Sequence, residues 1–232
     1  MKHIPMSRSV ILILCLIFSF SYLQAQDAEE KKPAADQKDL NVDLSKFDII
    51  PHIYAISPDL SHTAIGARFS DRSAVVIDGK RGMLFDEIGT GTLTFSPGSG
   101  MEAYAARSGA VSWIVVNGNK YGPYSNVGMG SPLFSPGGKH VAWSVRTLEM
   151  SPENEILESW YVILDGKKGR RYYDVGTPRF SPDGNILAYS AEKAGKYFMN
   201  INGREEGPFD AIYPGSPFFS SNSEHYAYIT LI

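Results

Sequence analysis

Hydrophobic and polar positions divide the chain into three stretches. Residues 10–20 (VILILCLIFSF) form an apolar run, with Lys2 and Arg8 before it and Ser21 after it. Residues 27–39 are charged and polar with no large apolar side chain. From residue 40 onward, short apolar stretches alternate with Gly, Pro, Asp and Asn punctuation, which predicts many short strands joined by tight turns. Leu40, Val42 and Leu44 already alternate with polar residues in a strand-like way. No stretch after residue 26 keeps a 3.6-residue apolar rhythm long enough to predict a long helix.

The strand pattern repeats. Phe95-Ser96-Pro97, Phe134-Ser135-Pro136 and Phe180-Ser181-Pro182 recur, preceded by Ile56-Ser57-Pro58 and followed by Phe219-Ser220-Ser221. The anchors are spaced by 39, 39, 46 and 39 residues, and the long spacing holds an insertion at 147–159. A second marker is Asp78-Gly79, Asn117-Gly118, Asp165-Gly166 and Asn202-Gly203. A third is an aromatic followed by Asp: Phe47-Asp48, Phe85-Asp86, Tyr173-Asp174 and Phe209-Asp210, with Tyr124-Ser125 as a variant. Repetition at about 40 residues points to one supersecondary unit that buries its faces against its neighbours.

Each unit translates into four strands, A to D. Strand A ends at the Phe-Ser anchor, and the Pro-Asp-Gly or Pro-Gly-Gly after it is a turn. Strand B carries Ala64, Ala103, Ala142, Ala188 and Ala227 at one position and Ile65, Tyr104, Trp143, Tyr189 and Tyr228 at the next. A small residue beside a large one suits close packing of one unit on another. Strand C is the β-branched run at 74–77 or 114–116, and the Asp-Gly or Asn-Gly that follows signals a two-residue hairpin. Strand D is the short segment assigned to the aromatic-Asp pair. The predicted class is all-β: a β-propeller of four-stranded antiparallel blades.

Phe180-Ser181-Pro182-Asp183-Gly184 followed by Leu187-Ala188-Tyr189-Ser190 resembles the WD-repeat-like propeller repeats of the TolB type. Gly207-Pro208-Phe209-Asp210 looks like a sub-type of that repeat. The resemblance covers roughly residues 47–232. It implies a bacterial envelope propeller and no particular catalytic residue. Four full units run from Ile56 to Phe218, and the fifth has strands A and B alone. Two closures are open. Residues 47–50 as strand D and 40–44 as strand C would complete a fifth blade; otherwise the chain is part of a larger propeller.

The first 26 residues read as a secretory signal peptide cleaved near Ala25 or Gln26. Even extended to Leu23, the apolar run covers 14 residues, short of the roughly 20 that span a bilayer, so no stable membrane insertion is expected after cleavage. Lipidation at Cys15 is disfavoured by Leu14 before it. The domain plan is then signal peptide 1–26, polar linker 27–39 and propeller 40–232, in the periplasm or secreted. Cys15 is the single cysteine, so the mature chain has no disulfide, thiol nucleophile or cysteine metal site. The formal charge of −3 becomes −5 without Lys2 and Arg8, which gives no reason to expect nucleic acid as partner.

Candidate chemistry is sparse. No Gly-x-Ser-x-Gly elbow occurs, and His52, His62, His140 and His225 have no ligand spacing, so no catalytic, metal or cofactor site is predicted. The recurring Asp residues of the third marker are expected to accept backbone hydrogen bonds in turns. Two binding features stand out on the face shared by the B–C and D–A connections. Arg68, Arg107 and Arg146 each lie twelve residues after an anchor and form a potential arc for a carboxylate, phosphate or acidic peptide. The insertion supplies Glu149, Glu153, Glu155 and Glu158. The expected function is a non-enzymatic scaffold for a protein or peptide partner. The alternatives are a hydrolytic or glycan-acting propeller enzyme, or the propeller portion of a longer protein.

Overall fold

The computed structural model describes residues 43–151 and 153–232. After a one-turn 3-10 helix, Leu44–Lys46, every element is a β-strand. The first blade is the antiparallel sheet β1 (Asp48–Ile56), β2 (Thr63–Phe69), β3 (Arg72–Ile77) and β4 (Lys80–Arg81), in that order. The second blade holds β5 (Glu87–Ile88), β6 (Thr94–Phe95), β7 (Glu102–Ser108), β8 (Val111–Val116) and β9 (Asn119–Tyr124). The third holds β10 (Asn126–Val127), β11 (Leu133–Phe134), β12 (Val141–Met150), β13 (Ile156–Leu164) and β14 (Lys167–Lys168). The fourth holds β15 (Asp174–Val175), β16 (Arg179–Phe180), β17 (Leu187–Lys193), β18 (Lys196–Ile201) and β19 (Arg204–Phe209). The fifth repeat contributes β20 (Ala211–Ile212) and β21 (Phe218–Phe219), paired with β23 (Thr230–Leu231) and β22 (Tyr226–Ala227) respectively. These sheets are the blades of a β-propeller.

The turns follow the chemistry of their residues. Each Ser of the Phe-Ser anchor donates its backbone N–H across the A–B turn, as from Ser57 to His62 O and from Ser181 to Ile186 O. Its hydroxyl accepts the return N–H: His62 to Ser57 at 2.8 Å, His140 to Ser135 at 3.1 Å, Ile186 to Ser181 at 3.0 Å and His225 to Ser220 at 2.9 Å. The C–D turns have positive φ at both central residues, for example 47° at Asn117 and 71° at Gly118, the geometry that Asn-Gly and Asp-Gly favour.

Strand B sets how blades stack. Its alanines face the following blade and its aromatics the preceding one. Ala103 and Ala105 of the second blade thus share a buried cluster with Trp143 and Val145 of the third. Likewise Ala142 of the third packs with Tyr189 and Ala191 of the fourth. The aromatic markers complete the joints: Phe85 meets Tyr104, Tyr172 meets Tyr189 and Phe209 meets Tyr228, with ring centroids 6.4, 6.1 and 5.8 Å apart. In the remaining joint it is Tyr121 whose ring meets Trp143, with centroids 5.1 Å apart, while the marker Tyr124 packs against the same cluster.

Three expectations need correction. The aromatic-Asp marker is a crossover, not part of strand D alone. Phe85 bridges to Ser73 in strand C, whereas the Asp86 N–H already donates to Arg107 O in the next blade. In two repeats the marker is also offset by one residue. Tyr172, not Tyr173, bridges to strand C, and Asp48 lies opposite Arg68 as Glu87 lies opposite Arg107. Residues 47–50 therefore do not form an outer strand of the fifth blade, because Asp48–Ile50 open β1. Leu44 belongs to the 3-10 turn, while 40–42 lie outside the described residues.

The last difference concerns strand A. In blades two to four it is split into two short halves, both paired with strand B. The chain between them leaves the sheet after one more backbone bond to strand B, from the Gly89, Gly128 or Gly176 N–H. The glycine-containing segments at 89–93 and 128–132 are such excursions within strand A, rather than loops before it.

Candidate functional site

Arg68, Arg107 and Arg146 occupy one register position near the end of strand B, opposite Asp48, Glu87 and Asn126 of strand A. The fourth blade has Glu192 there, opposite Asp174. Arg68 is exposed and makes no ion pair among the described residues. The others are engaged within their own blades. Arg107 Nη2 lies 2.8 Å from Glu87 Oε2, and Arg146 Nη1 lies 3.1 Å from Glu158 Oε2. Such exposed pairs are worth about 0–1 kcal/mol, so an incoming carboxylate exchanges with them at little cost.

The insertion is not a loop. It continues β12 and β13 as a two-stranded hairpin past Arg146↔Trp160, through Leu148↔Glu158 to Met150↔Ile156. Strand A accompanies β12 from Val141 to Arg146 and no further, so beyond that point both hairpin edges are open among the described residues. On one face stand Leu148, Met150 and Ile156, exposed to 53%, 70% and 69%. These apolar residues were missed in the sequence because the glutamates dominate the segment; strand alternation around Glu149 and Leu157 is the signal that would have found them. Glu149, on the other face, accepts from Lys168 Nζ and Tyr161 Oη, each at 3.2 Å, and Lys168 holds its carboxyl below the usual range. Glu153 and Glu155 sit at the tip, where their backbone N–H groups donate to Ser151 Oγ. Their side chains make no ion pair among the described residues.

The excursions of strand A line the second feature. Residues 90–92 and 128–132 wall a cavity of about 610 Å³ together with Thr94 and Leu133. A neighbouring cavity of about 590 Å³ shares Gly130, Leu133 and Phe134 with it and continues along Pro178, Arg179, Pro217 and Phe218. These inner strands are where a propeller keeps its central channel.

The opposite face is structural. His62 Nδ1 and His140 Nδ1 each lie 2.7 Å from a carboxylate oxygen, of Asp78 and Asp165 respectively. Those aspartates also accept from the Thr63 and Val141 N–H groups, tying the C–D turn to the start of strand B. Burial raises the Asp78 pKa, but the bonds from His62 and Thr63 outweigh it and hold the carboxyl below its ordinary value. In the fourth blade Asn202 Oδ1 does the same work, accepting from Leu187 N–H. Of the crossover aspartates, Asp86 accepts the Gly109 N–H as expected, at 2.6 Å, whereas Asp210 pairs with Lys196. Among the described residues no three His, Cys, Asp or Glu side chains converge as a metal site.

No protein-family model and no curated protein matches the chain. Among solved structures it is similar to TolB from Acinetobacter baumannii, at 18% identity and a TM-score of 0.38, over 78% of this chain and 48% of that one. It is also similar to hydrazine synthase from Kuenenia stuttgartiensis, at 16% identity and a TM-score of 0.37, over 75% of this chain and 60% of that one. The chain thus spans about half the length of the first and three-fifths of the second.

Proposed function

We propose that this propeller is an exported scaffold that holds a protein or peptide partner on the face shared by its B–C and D–A connections. The observation that carries the reading is the hairpin of β12 and β13. A protruding two-stranded element with open edges and three large apolar side chains in water is a surface built to be covered. Glu153 and Glu155 at its tip favour partner groups of opposite charge. Arg68, with Arg107 and Arg146 on neighbouring blades, adds a row of guanidinium groups for acidic residues of the same partner. Export rests on the first 26 residues, which lie outside the described residues, and no helix among the described residues is long and apolar enough to cross a membrane.

The test is a pull-down of the tagged chain from Asp27 out of an envelope extract. Two variants run beside it: Leu148→Ser with Met150→Ser and Ile156→Ser, and Arg68→Glu with Arg107→Glu and Arg146→Glu. A partner held by the parent and lost from the hairpin variant supports the reading. Equal capture by all three proteins, or none by a folded parent, overturns it.

A further inference from the structure

One position of the inner strands differs from its counterparts in kind. Ala55, Thr94, Leu133, Arg179 and Phe218 occupy the same register, each opposite the strand-B alanine of its blade. Four are uncharged. A group that the blade needs for folding recurs from blade to blade, so a charge that occurs once at a repeated position answers to something else. Arg179 is exposed, and among the described residues its side chain has neither an ion pair nor a hydrogen bond.

Its surroundings define what it can hold. Among the described residues Arg179 is the only charged one lining the cavity of about 590 Å³, whose walls include Leu133, Phe134, Pro178, Pro217 and Phe218. A guanidinium beside apolar walls is less screened than one in open water. Its planar fork matches a carboxylate by two parallel hydrogen bonds. A single cation balances a monoanion, and the walls ask for an apolar body behind the charge. The inner strands add a third requirement. Among the described residues β11, β16 and β21 pair only with strand B, so their other edges present unpaired backbone donors and acceptors. A polypeptide can use such edges; an acyl chain cannot. The adjoining cavity of about 610 Å³, reached past Gly130 and Leu133, supplies room and the hydroxyls of Thr90 and Thr94 for the residues upstream.

We propose that the channel takes the C-terminal end of an extended apolar polypeptide segment, with its terminal carboxylate on Arg179. The site is independent of the hairpin face and stands or falls without it.

The probe is a dye-labelled pentapeptide, Ser-Gly-Ala-Val-Leu, made with a free and with an amidated C-terminus. Binding to the chain from Asp27 is read by fluorescence anisotropy. The free acid is expected to bind about tenfold or more tightly than the amide, as a charge-assisted pair would give. Arg179→Gln should abolish that preference, and Arg179→Lys should restore part of it. Circular dichroism and the unfolding midpoint should be unchanged in both variants, since the side chain is exposed. Equal binding of acid and amide, a preference that survives Arg179→Gln, or no binding of either peptide overturns the proposal. Dodecanoate serves as competitor: displacement only at concentrations well above those of the free peptide is expected. Displacement at lower concentrations overturns the assignment to a polypeptide.

Discussion

The serine of each anchor does more than mark a turn. Ser57, Ser96, Ser135 and Ser181 are buried; the hydroxyls of Ser57, Ser135 and Ser181 close the A–B connection from inside, whereas that of Ser96 donates to Gly138 O of the next blade. Replacing Ser181 by Ala leaves the Ile186 N–H without that acceptor, and the expected cost is about 1–3 kcal/mol in chemical denaturation. Asp183, two residues on, is bonded by the Ser181 hydroxyl and by Asn185, which hold its carboxyl at about 2 against an ordinary 3.8. Because the folded value is depressed, the stability it contributes is full above pH 3.8 and is lost as pH falls towards about 2. Asp183→Asn should therefore lower the melting temperature at neutral pH, with the gap to the parent closing across that window. A constant gap down to pH 2 would contradict it. The sequence made the serines conspicuous by repetition. It could not show that two of the three arginines meet Glu87 and Glu158, since repeat register fixes a backbone position and leaves side-chain direction open.

At the scale of elements, the recurring pair of small and large residues on strand B is the joint between blades. Trp143 is fully buried between Tyr121 and the alanines of the blade before it. Trp143→Ala should cost about 3–5 kcal/mol, measured by equilibrium unfolding; a loss below 1 kcal/mol would mean that the joint is not where stability resides. Strands B and C and the C–D turns were legible because alternation and Asp-Gly or Asn-Gly chemistry are local. Strand A was not. Its halves are two residues each, too short to show a period, and Gly, Thr and Pro between them look like a loop wherever they fall. The aromatic-Asp marker misled for a related reason: composition finds the crossover, but a slip of one residue, as at Tyr172 and Tyr173, is settled only by pairing across the sheet.

Across the whole molecule, the repeat is a frame and its departures are the functional candidates. The irregular spacing of 46 residues located the hairpin, while its apolar face emerged only from the pairing of Met150 with Ile156. In the fourth blade the same connection is a tight turn at Ala194-Gly195, closed by Lys193↔Lys196. Replacing residues 148–158 by Ala-Gly should leave the strand signal in circular dichroism and a cooperative melt, because Thr147↔Ser159 and the pairs below it persist. Capture of a partner through the hairpin should be lost. Unfolding of the shortened chain would show the hairpin to be part of the core instead.

The split inner strand also makes the molecule adjustable. Each excursion leaves strand A and returns to the same partner strand, so its length is decoupled from the blade that carries it. The chain contains the comparison already: five residues separate the halves in the second and third blades and three in the fourth, yet strand B pairs with both halves in every case. The cavity that these segments wall is therefore tunable one blade at a time, and foreign sequence grafted at 89–93 or 128–132 would be presented to it from a fixed mount.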